Sequence, residues 1–251
     1  MNIVDFIPPD LTILSTTGLV LLSFMTSALT ASVGLGGGLV LLVALASFLP
    51  PLVVLPVHGV VQLGSNFGRA SLLRQYIDWS IAGYFLLGSI LGVILAGRIF
   101  VALPADVLRA ILGLFVLYSI WTPTLRPSNI PLSGFLGVGA VTSFASIFVG
   151  GTGPLVSAFL SPENMGRKNW VATHAICMTA QHGLKGVIFG FLGFQFLPWL
   201  PTLIAMILFG FLGTLAGRRI LNRLPEKLFK QLFRVIMTLL GLRLLLDAYI
   251  G

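Results

Sequence analysis

The sequence predicts an all-α polytopic membrane protein built from two homologous repeats in inverted orientation. Each repeat is a glycine-broken first segment followed by three spanning helices. Three observations carry that expectation. Hydrophobic residues make up 57% of the chain and charged residues only 9%, where a soluble domain carries roughly 25% charge. Apolar runs recur at close to the roughly 20 residues that a spanning helix needs. And an ungapped shift of 116 residues lays the polar positions of the first half on those of the second.

The elements follow from hydropathy and breakers. A first segment over residues 11–49 is interrupted at Gly34-Leu35-Gly36-Gly37-Gly38, and apolar stretches over 53–73, 79–103 and 107–121 follow it. Residues 123–131, with three prolines and Arg126, form the connector, so residues 1–125 make the first repeat and 126–251 the second. The second half repeats the plan with 132–160 broken between Gly150 and Pro154, then 169–191, 197–221 and 228–249. Before the first span, Asp5 and Asp10 occur without any Lys or Arg. That stretch lacks the positive region of a cleavable signal peptide, so the first span is expected to remain in the protein.

The 116-residue register pairs Thr26 with Thr142, Ser27 with Ser143, Gly34 with Gly150, Gly37 with Gly153, Leu39 with Leu155 and His58 with His174. It also sets Asn66 opposite His182 and Arg69 opposite Lys185. Further along, an offset of 121 pairs Gly92 with Gly213, Arg98 with Arg219, Ile99 with Ile220, Leu103 with Leu224 and Pro104 with Pro225. Repeats of this kind are related by an axis in the membrane plane or along its normal, and charge discriminates between the two. If each broken segment enters and leaves on one side, Arg69, Arg74, Arg126, Arg167, Lys168 and the basic cluster from Arg218 to Arg234 share the inner side. Asp5, Asp10, Arg98, Asp106 and Arg109 then lie outside. The positive-inside rule prefers this inverted arrangement. The net charge of +8 is thereby read as a topology signal rather than a nucleic-acid footprint. The single Cys177 excludes an intrachain disulfide.

Gly34, Gly36, Gly37 and Gly38 in one half and Gly150, Gly151, Thr152 and Gly153 in the other admit two readings. Small residues let membrane helices approach closely. Alternatively, a helix broken at membrane depth exposes backbone polar groups that must be buried by protein or line a cavity, and a restarted helix directs N–H groups and a positive dipole end at an anion. Pro154 suits the first turn of such a helix, and Ser32, Ser146 and Thr152 would add hydroxyl donors. The duplication favours the second reading.

On the next helix, His58, Gln62, Asn66 and Arg69 recur on one face, and His174, Met178, His182 and Lys185 repeat the spacing with Gln181 beside them. A lone histidine there is a hydrogen-bonding strut between helices, and Arg69, near Arg74, reads equally as a snorkelling end charge. Lys185, followed by Gly186-Val187-Ile188-Phe189, sits deeper in its span and is less easily read that way. Two matched stripes are harder to explain that way, because ionisable residues in spans mark pathways and binding sites. Every stripe side chain except Met178 can donate a hydrogen bond and none is acidic. The expected occupant is an anion, with Lys185 as the fixed charge of the cavity. No metal or other cofactor is expected: His58, His174, His182 and Cys177 have neither a supporting carboxylate nor a metal-motif spacing. Nor is catalysis expected, since Asp5, Asp10, Asp78, Asp106, Glu163, Glu226 and Asp247 all fall near span ends or in loops, away from any nucleophile and base pair.

At these residues the chain resembles the TauE/SafE family, the sulfite exporter family of membrane anion transporters. The resemblance rests on Val33-Gly34-Leu35-Gly36-Gly37-Gly38, on Tyr76-Ile77-Asp78-Trp79 and on Val149-Gly150-Gly151-Thr152-Gly153-Pro154. It continues through Gly213 to Leu246, with Arg218-Arg219 and Leu224-Pro225-Glu226-Lys227. It covers nearly the whole chain. It implies export of sulfite, organosulfonates such as sulfoacetate, or related oxyanions across a bacterial inner membrane. The second-half histidine stripe goes beyond what the resemblance implies. The rival functions are proton-coupled anion uptake, an anion channel with the same positive lining, and a membrane scaffold whose polar stripes only hold helices together. The partners expected are a small anion and the lipid bilayer, not nucleic acid. Glycine-rich faces over 83–97 and 186–193 would permit a homodimer.

Overall fold

The computed structural model describes residues 8, 11–33, 36–101, 103–122, 130–160, 165–220 and 226–250. Among them every regular element is helical. In chain order the α-helices are α1 (Ile13–Val33), α2 (Gly37–Ala46), α3 (Pro51–Leu72), α4 (Trp79–Phe100) and α5 (Ala105–Trp121), then α6 (Gly134–Val149), α7 (Gly153–Phe159), α8 (Arg167–Phe191), α9 (Leu200–Ile220) and α10 (Glu226–Ile250). Gly34, most of the 123–131 connector, Asp5, Asp10, Glu163 and Arg223 lie outside the described residues, as do the side chains of Ser32, Arg218, Arg219, Glu226, Lys227 and Lys230.

The sequence places most of the breaks where the backbone puts them. The first segment stops after Val33 and restarts at Gly37 through Gly36, whose φ of 105° is open to glycine and strained for side chains with a Cβ. In the second half α6 ends at Gly150, with φ 76°, and α7 begins at Gly153. Proline opens the next helices where a missing N–H is harmless: Pro51 in the first turn of α3 and Pro154 in that of α7. Asp78 caps α4 by accepting from the Ser80 and Ile81 amides.

Stretches Ile13–Ala31, Trp79–Phe100 and Leu197–Gly217 are long and apolar enough to cross a bilayer. Helix α4 shows how. Leu87, Leu91 and Leu95 form an outward stripe, each more than half exposed, while Gly88, Ser89, Gly92 and Ala96 are buried on the opposite face. Large apolar residues outside and small ones inside suit lipid as the surrounding solvent. The chain is thus a helical, membrane-embedded protein. The centre is occupied by the short α2, whose Leu42, Val43 and Leu45 are fully buried against Val54, Leu55 and Val57 of α3.

The helices pack reciprocally between halves: α1 lies along α9, α6 along α4, α3 crosses α8, and α5 pairs with α10. Glycine makes the first two contacts. A Cβ on Gly92 would strike the Ala140 carbonyl, and one on Gly213 would strike the Phe24 carbonyl. The 121 offset pairs Gly92 with Gly213, and the 116 offset pairs Phe24 with Ala140. The Ser143–Ser89 hydroxyl pair (2.8 Å) likewise corresponds to Ser27 beside Gly210. The glycine stripes read from sequence as dimer faces are therefore largely internal. Gly88 and Gly92 meet α6, Gly97 meets Ile188, and Gly186 meets Val60.

These backbone contacts set a stability expectation. Gly92→Ala and Gly213→Ala each force a methyl into a carbonyl oxygen and are expected to lose roughly 1–3 kcal/mol by overpacking. Gly83→Ala, which meets open space, should leave stability unchanged or slightly raised. Thermal unfolding of the detergent-solubilised variants reads the difference; equal melting temperatures for all three would refute the close-packing assignment.

Candidate functional site

The α3–α8 crossing positions the polar stripes. Near the start of the contact, His58 meets His182 edge to face at 5.8 Å and Gly59 lies against the Lys185 side chain. Further along α3, Val60 approaches Gly186 and Leu63 approaches Gly183, and Arg69 comes within electrostatic reach of His174. Early residues of α3 thus face late residues of α8 and the reverse, so the helices run antiparallel. Each histidine that begins a stripe also ties its helix to a restarted one. His58 Nε2 donates to the Gly38 carbonyl (2.9 Å), and His174 Nε2 donates to the Gly153 carbonyl (3.1 Å).

Between the stripes lies a narrow cleft lined by Thr30, Gly36, Gly38, Leu39, His58, Gln62, Asn66, Arg69, Gly151, Gly153, Pro154, His174, Met178 and His182. Ten of the residues singled out from sequence meet there: Gly36, Gly38, His58, Gln62, Asn66, Arg69, Gly151, Gly153, His174 and His182. Its floor is buried, with His58 and His182 1% and 2% exposed, while Thr30, Arg69 and Pro154 at its open end are half-buried. The walls are ordered by their own bonds: Asn66 Nδ2 donates to the Gln62 carbonyl (2.8 Å) and Arg69 to Asn66 Oδ1 (3.5 Å). His182 makes no hydrogen bond to another described residue, and its Nδ1 is buried without a protein partner. None of the lining residues is acidic.

The remaining residues named from sequence sit elsewhere. Gly34 lies outside the described residues. Gly37 packs on the Thr26 carbonyl, and Gly150 lies in its left-handed turn against Leu42 and Leu55. Gln181 Nε2 donates to Thr152 Oγ1 (2.7 Å) and to the Thr142 carbonyl (2.8 Å), and both Gln181 and Thr152 are fully buried. Lys185 is the largest difference from expectation. Rather than projecting into the cleft, it is fully buried behind His58 and His182 and donates to the Gly150 carbonyl (3.2 Å) at the negative end of α6. Ser146, one helical turn before Gly150, is buried as well. Four buried polar atoms of these residues and of the floor histidines lack protein partners: Ser146 Oγ, Gln181 Oε1, His58 Nδ1 and His182 Nδ1. Each such group costs about 1–3 kcal/mol if left unsatisfied.

Thr30, Leu39, Pro154 and Met178 line the cleft without having been singled out as ligands. Thr30 had a signal, because the 116 register makes it the partner of Ser146. Stripe spacing places Met178 on this face, though its thioether is no donor; Leu39 is apolar, and no chemical signal marks it.

Outside the spans, the described acids are engaged at helix ends. Asp106 pairs with Arg109 (2.8 Å) and Asp247 with Arg243 (3.7 Å). At the mouth end of α8, Lys168 donates to Tyr76 Oη (3.4 Å) and lies 5.1 Å over its ring. Those contacts hold the Tyr76 phenol below its ordinary value, first through the Lys168 hydrogen bond.

Comparison with curated proteins and with solved structures finds no match. The family model described as "Sulfite exporter TauE/SafE" matches residues 19–244, a span that takes in both broken segments, both polar stripes and the cleft between them. The chain therefore belongs to the sulfite exporter TauE/SafE family, a family of membrane transporters and not of enzymes.

Proposed function

We propose that the chain carries sulfite, an organosulfonate or a related small oxyanion across a bacterial inner membrane, as an exporter, from a site near the bilayer midplane. The observation that carries this is the chemistry of the cleft. Its lining offers one guanidinium, three imidazoles and two amides, and no carboxylate. A sulfonate or sulfite presents three oxygens that accept from Arg69, Gln62 and Asn66, with Arg69 supplying charge-assisted bonds. His58 and His174, whose Nε2–H groups bond backbone carbonyls, offer the anion an N–H when protonated. The start of α2, whose Gly36 and Gly38 line the cleft, adds a positive dipole end.

The architecture is read as two repeats, residues 1–125 and 126–251, related by an axis in the membrane plane. The antiparallel α3–α8 crossing and the reciprocal pairs α1–α9 and α6–α4 support that reading. So do the basic residues Arg69, Arg74, Arg167 and Lys168, which share the end where Tyr76 meets α8. By the positive-inside rule that end is cytoplasmic, so the cleft opens to the cytoplasm. An inside-negative potential then drives the anion outward with roughly 2.3 kcal/mol per charge per 100 mV. Export requires no coupling ion.

Purified protein in liposomes loaded with labelled sulfite or ethanesulfonate is expected to release it, and absence of flux in either direction would refute the proposal. His174→Ala and Arg69→Ala should raise the half-saturating concentration about 10-fold or more, as expected for loss of a charge-assisted bond worth roughly 1.5–3 kcal/mol. Unchanged kinetics in folded variants would move the site elsewhere.

The energetics give a separate expectation. Under an imposed potential the anion should redistribute by roughly 50-fold per 100 mV for a single charge. A distribution indifferent to voltage indicates electroneutral, proton-coupled movement instead. Counterflow separates carrier from channel, because only a carrier accelerates labelled efflux when unlabelled anion is present on the far side.

A further inference from the structure

We propose that the chain contains a second anion half-site, facing the opposite side of the membrane and closed in this structure. In it Lys185, Ser146 and Thr152 take the places that Arg69, Thr30 and Gly36 hold in the open cleft. The inference rests on the preceding reading of the chain as an inverted pair that carries an anion.

The register assigns the residues. A shift of 116 carries Thr30 to Ser146, Gly36 to Thr152 and Arg69 to Lys185, and it exchanges the His58 and His174 stripes. Geometry agrees with the register. Arg69 and His174 line the open cleft together, and Lys185 packs against Gly59, next to His58, at the closed end of the α3–α8 crossing. A rotation that exchanges the halves therefore exchanges the open and closed ends of one continuous polar seam. Inverted repeats work in this way, each half rocking past a fixed central site.

The closed end also has the composition of a site and not of a hydrophobic plug. Ser146, Thr152, Gln181 and Lys185 are each no more than 1% exposed. Lys185 has three N–H donors, of which one is directed at the Gly150 carbonyl. Ser146 Oγ has no protein partner. A permanent seal between membrane helices is better made from apolar side chains, since buried polar groups without partners destabilise it. Opening this end solvates them and turns the ammonium and two hydroxyls toward an anion. Three hydrogen bonds keep it shut here: Lys185 to Gly150, and Gln181 to Thr152 and to Thr142. The side chain of Leu42 from the centre of the molecule packs against Gly150 beside them.

The two half-sites are not equivalent. Arg69 gives the open cleft a planar fork suited to two oxygens at once, whereas Lys185 offers a point charge on a flexible stem. A threonine hydroxyl at 152 replaces the bare backbone of Gly36. The anion is thus held by a different cation on each side of the cycle.

Single-cysteine chemistry tests this in a Cys177→Ala background, with Thr30→Cys and Ser146→Cys introduced separately. Serine to cysteine is nearly isosteric, so folding is preserved. Oriented vesicles are exposed on one face at a time to a charged, membrane-impermeant methanethiosulfonate, with ethanesulfonate as the transported anion because sulfite itself consumes the reagent. Thr30→Cys is expected to react from one face and Ser146→Cys from the other, each with at least a 10-fold preference, and ethanesulfonate should slow both. A Ser146→Cys variant that resists labelling from both faces, or reacts from the same face as Thr30→Cys, overturns the proposal. Flux with no opposite-face labelling overturns this proposal and leaves the transport reading intact; labelling with no flux does the reverse. As a second measurement, Arg69→Met and Lys185→Met should shift the ratio of KM values at the two faces at least 10-fold in opposite directions. Equal effects at both faces also overturn it.

Discussion

The structure depends on two hydrogen bonds that join the stripe helices to the broken ones. His58 to the Gly38 carbonyl and His174 to the Gly153 carbonyl fix where α2 and α7 restart relative to α3 and α8. A helix cannot stop within a membrane unless its freed backbone groups are satisfied or face a cavity. A restarted helix leaves its first N–H groups unpaired rather than its carbonyls. Here the backbone of Gly36 and Gly151 lines the cleft, and each buried imidazole adds a bond to a first-turn carbonyl that anchors the restarted helix. The same two contacts therefore stabilise the interruption and position the imidazoles. Replacing either histidine with an apolar residue removes a strut as well as a candidate ligand. That is why a transport defect in such a variant is interpretable only beside evidence that it is folded.

Glycine sets the remaining geometry in two distinct ways. At Gly36 and Gly150 it supplies backbone conformations with positive φ, which turn the chain between the two helices of each broken segment. At Gly92 and Gly213 the backbone is ordinary helix, and the absent Cβ is what matters, because it lets a neighbouring carbonyl come into contact. The first kind builds the cleft. The second clamps α4 on α6 and α9 on α1, the frame on which the cleft hangs.

Much of this was legible in the sequence because membrane helices leave few choices to the backbone. Breakers in an apolar run marked the ends of α1, α2, α6 and α7, and the i, i+4 spacing put His58, Gln62 and Asn66 on one wall as they are found. Lys185 was misplaced because periodicity gives the face of a helix and not its depth relative to a neighbour. It shares a face with His174 and His182, yet the α3–α8 crossing point falls between it and the cleft. Gln181 sits beside that face, and its amide is drawn to Thr152 across a contact that no pattern along a single helix encodes. The glycine stripes were ambiguous for a related reason: a row of glycines shows that something approaches closely, but not whether it belongs to the same chain, and Gly88, Gly92, Gly97 and Gly186 meet their own chain.

Those misplacements are themselves structured. The expected ligands that the cleft lacks are concentrated in the second half, and Lys185 and Thr152 are the 116-register partners of Arg69 and Gly36, which the cleft contains. A two-fold arrangement observed in one of its two positions would look like this, since a sequence records both positions at once and a single structure only one. On that view the polar residues behind the floor are neither a flaw in packing nor a second independent site. In the proposed cycle they are the same site in its other orientation, covered by Leu42 and three hydrogen bonds, with lysine standing where the open side has arginine. On that cycle, an anion that prefers a guanidinium fork to an ammonium binds more tightly on the arginine side, which sets unequal half-saturating concentrations at the two faces, while net direction stays with the electrochemical gradient.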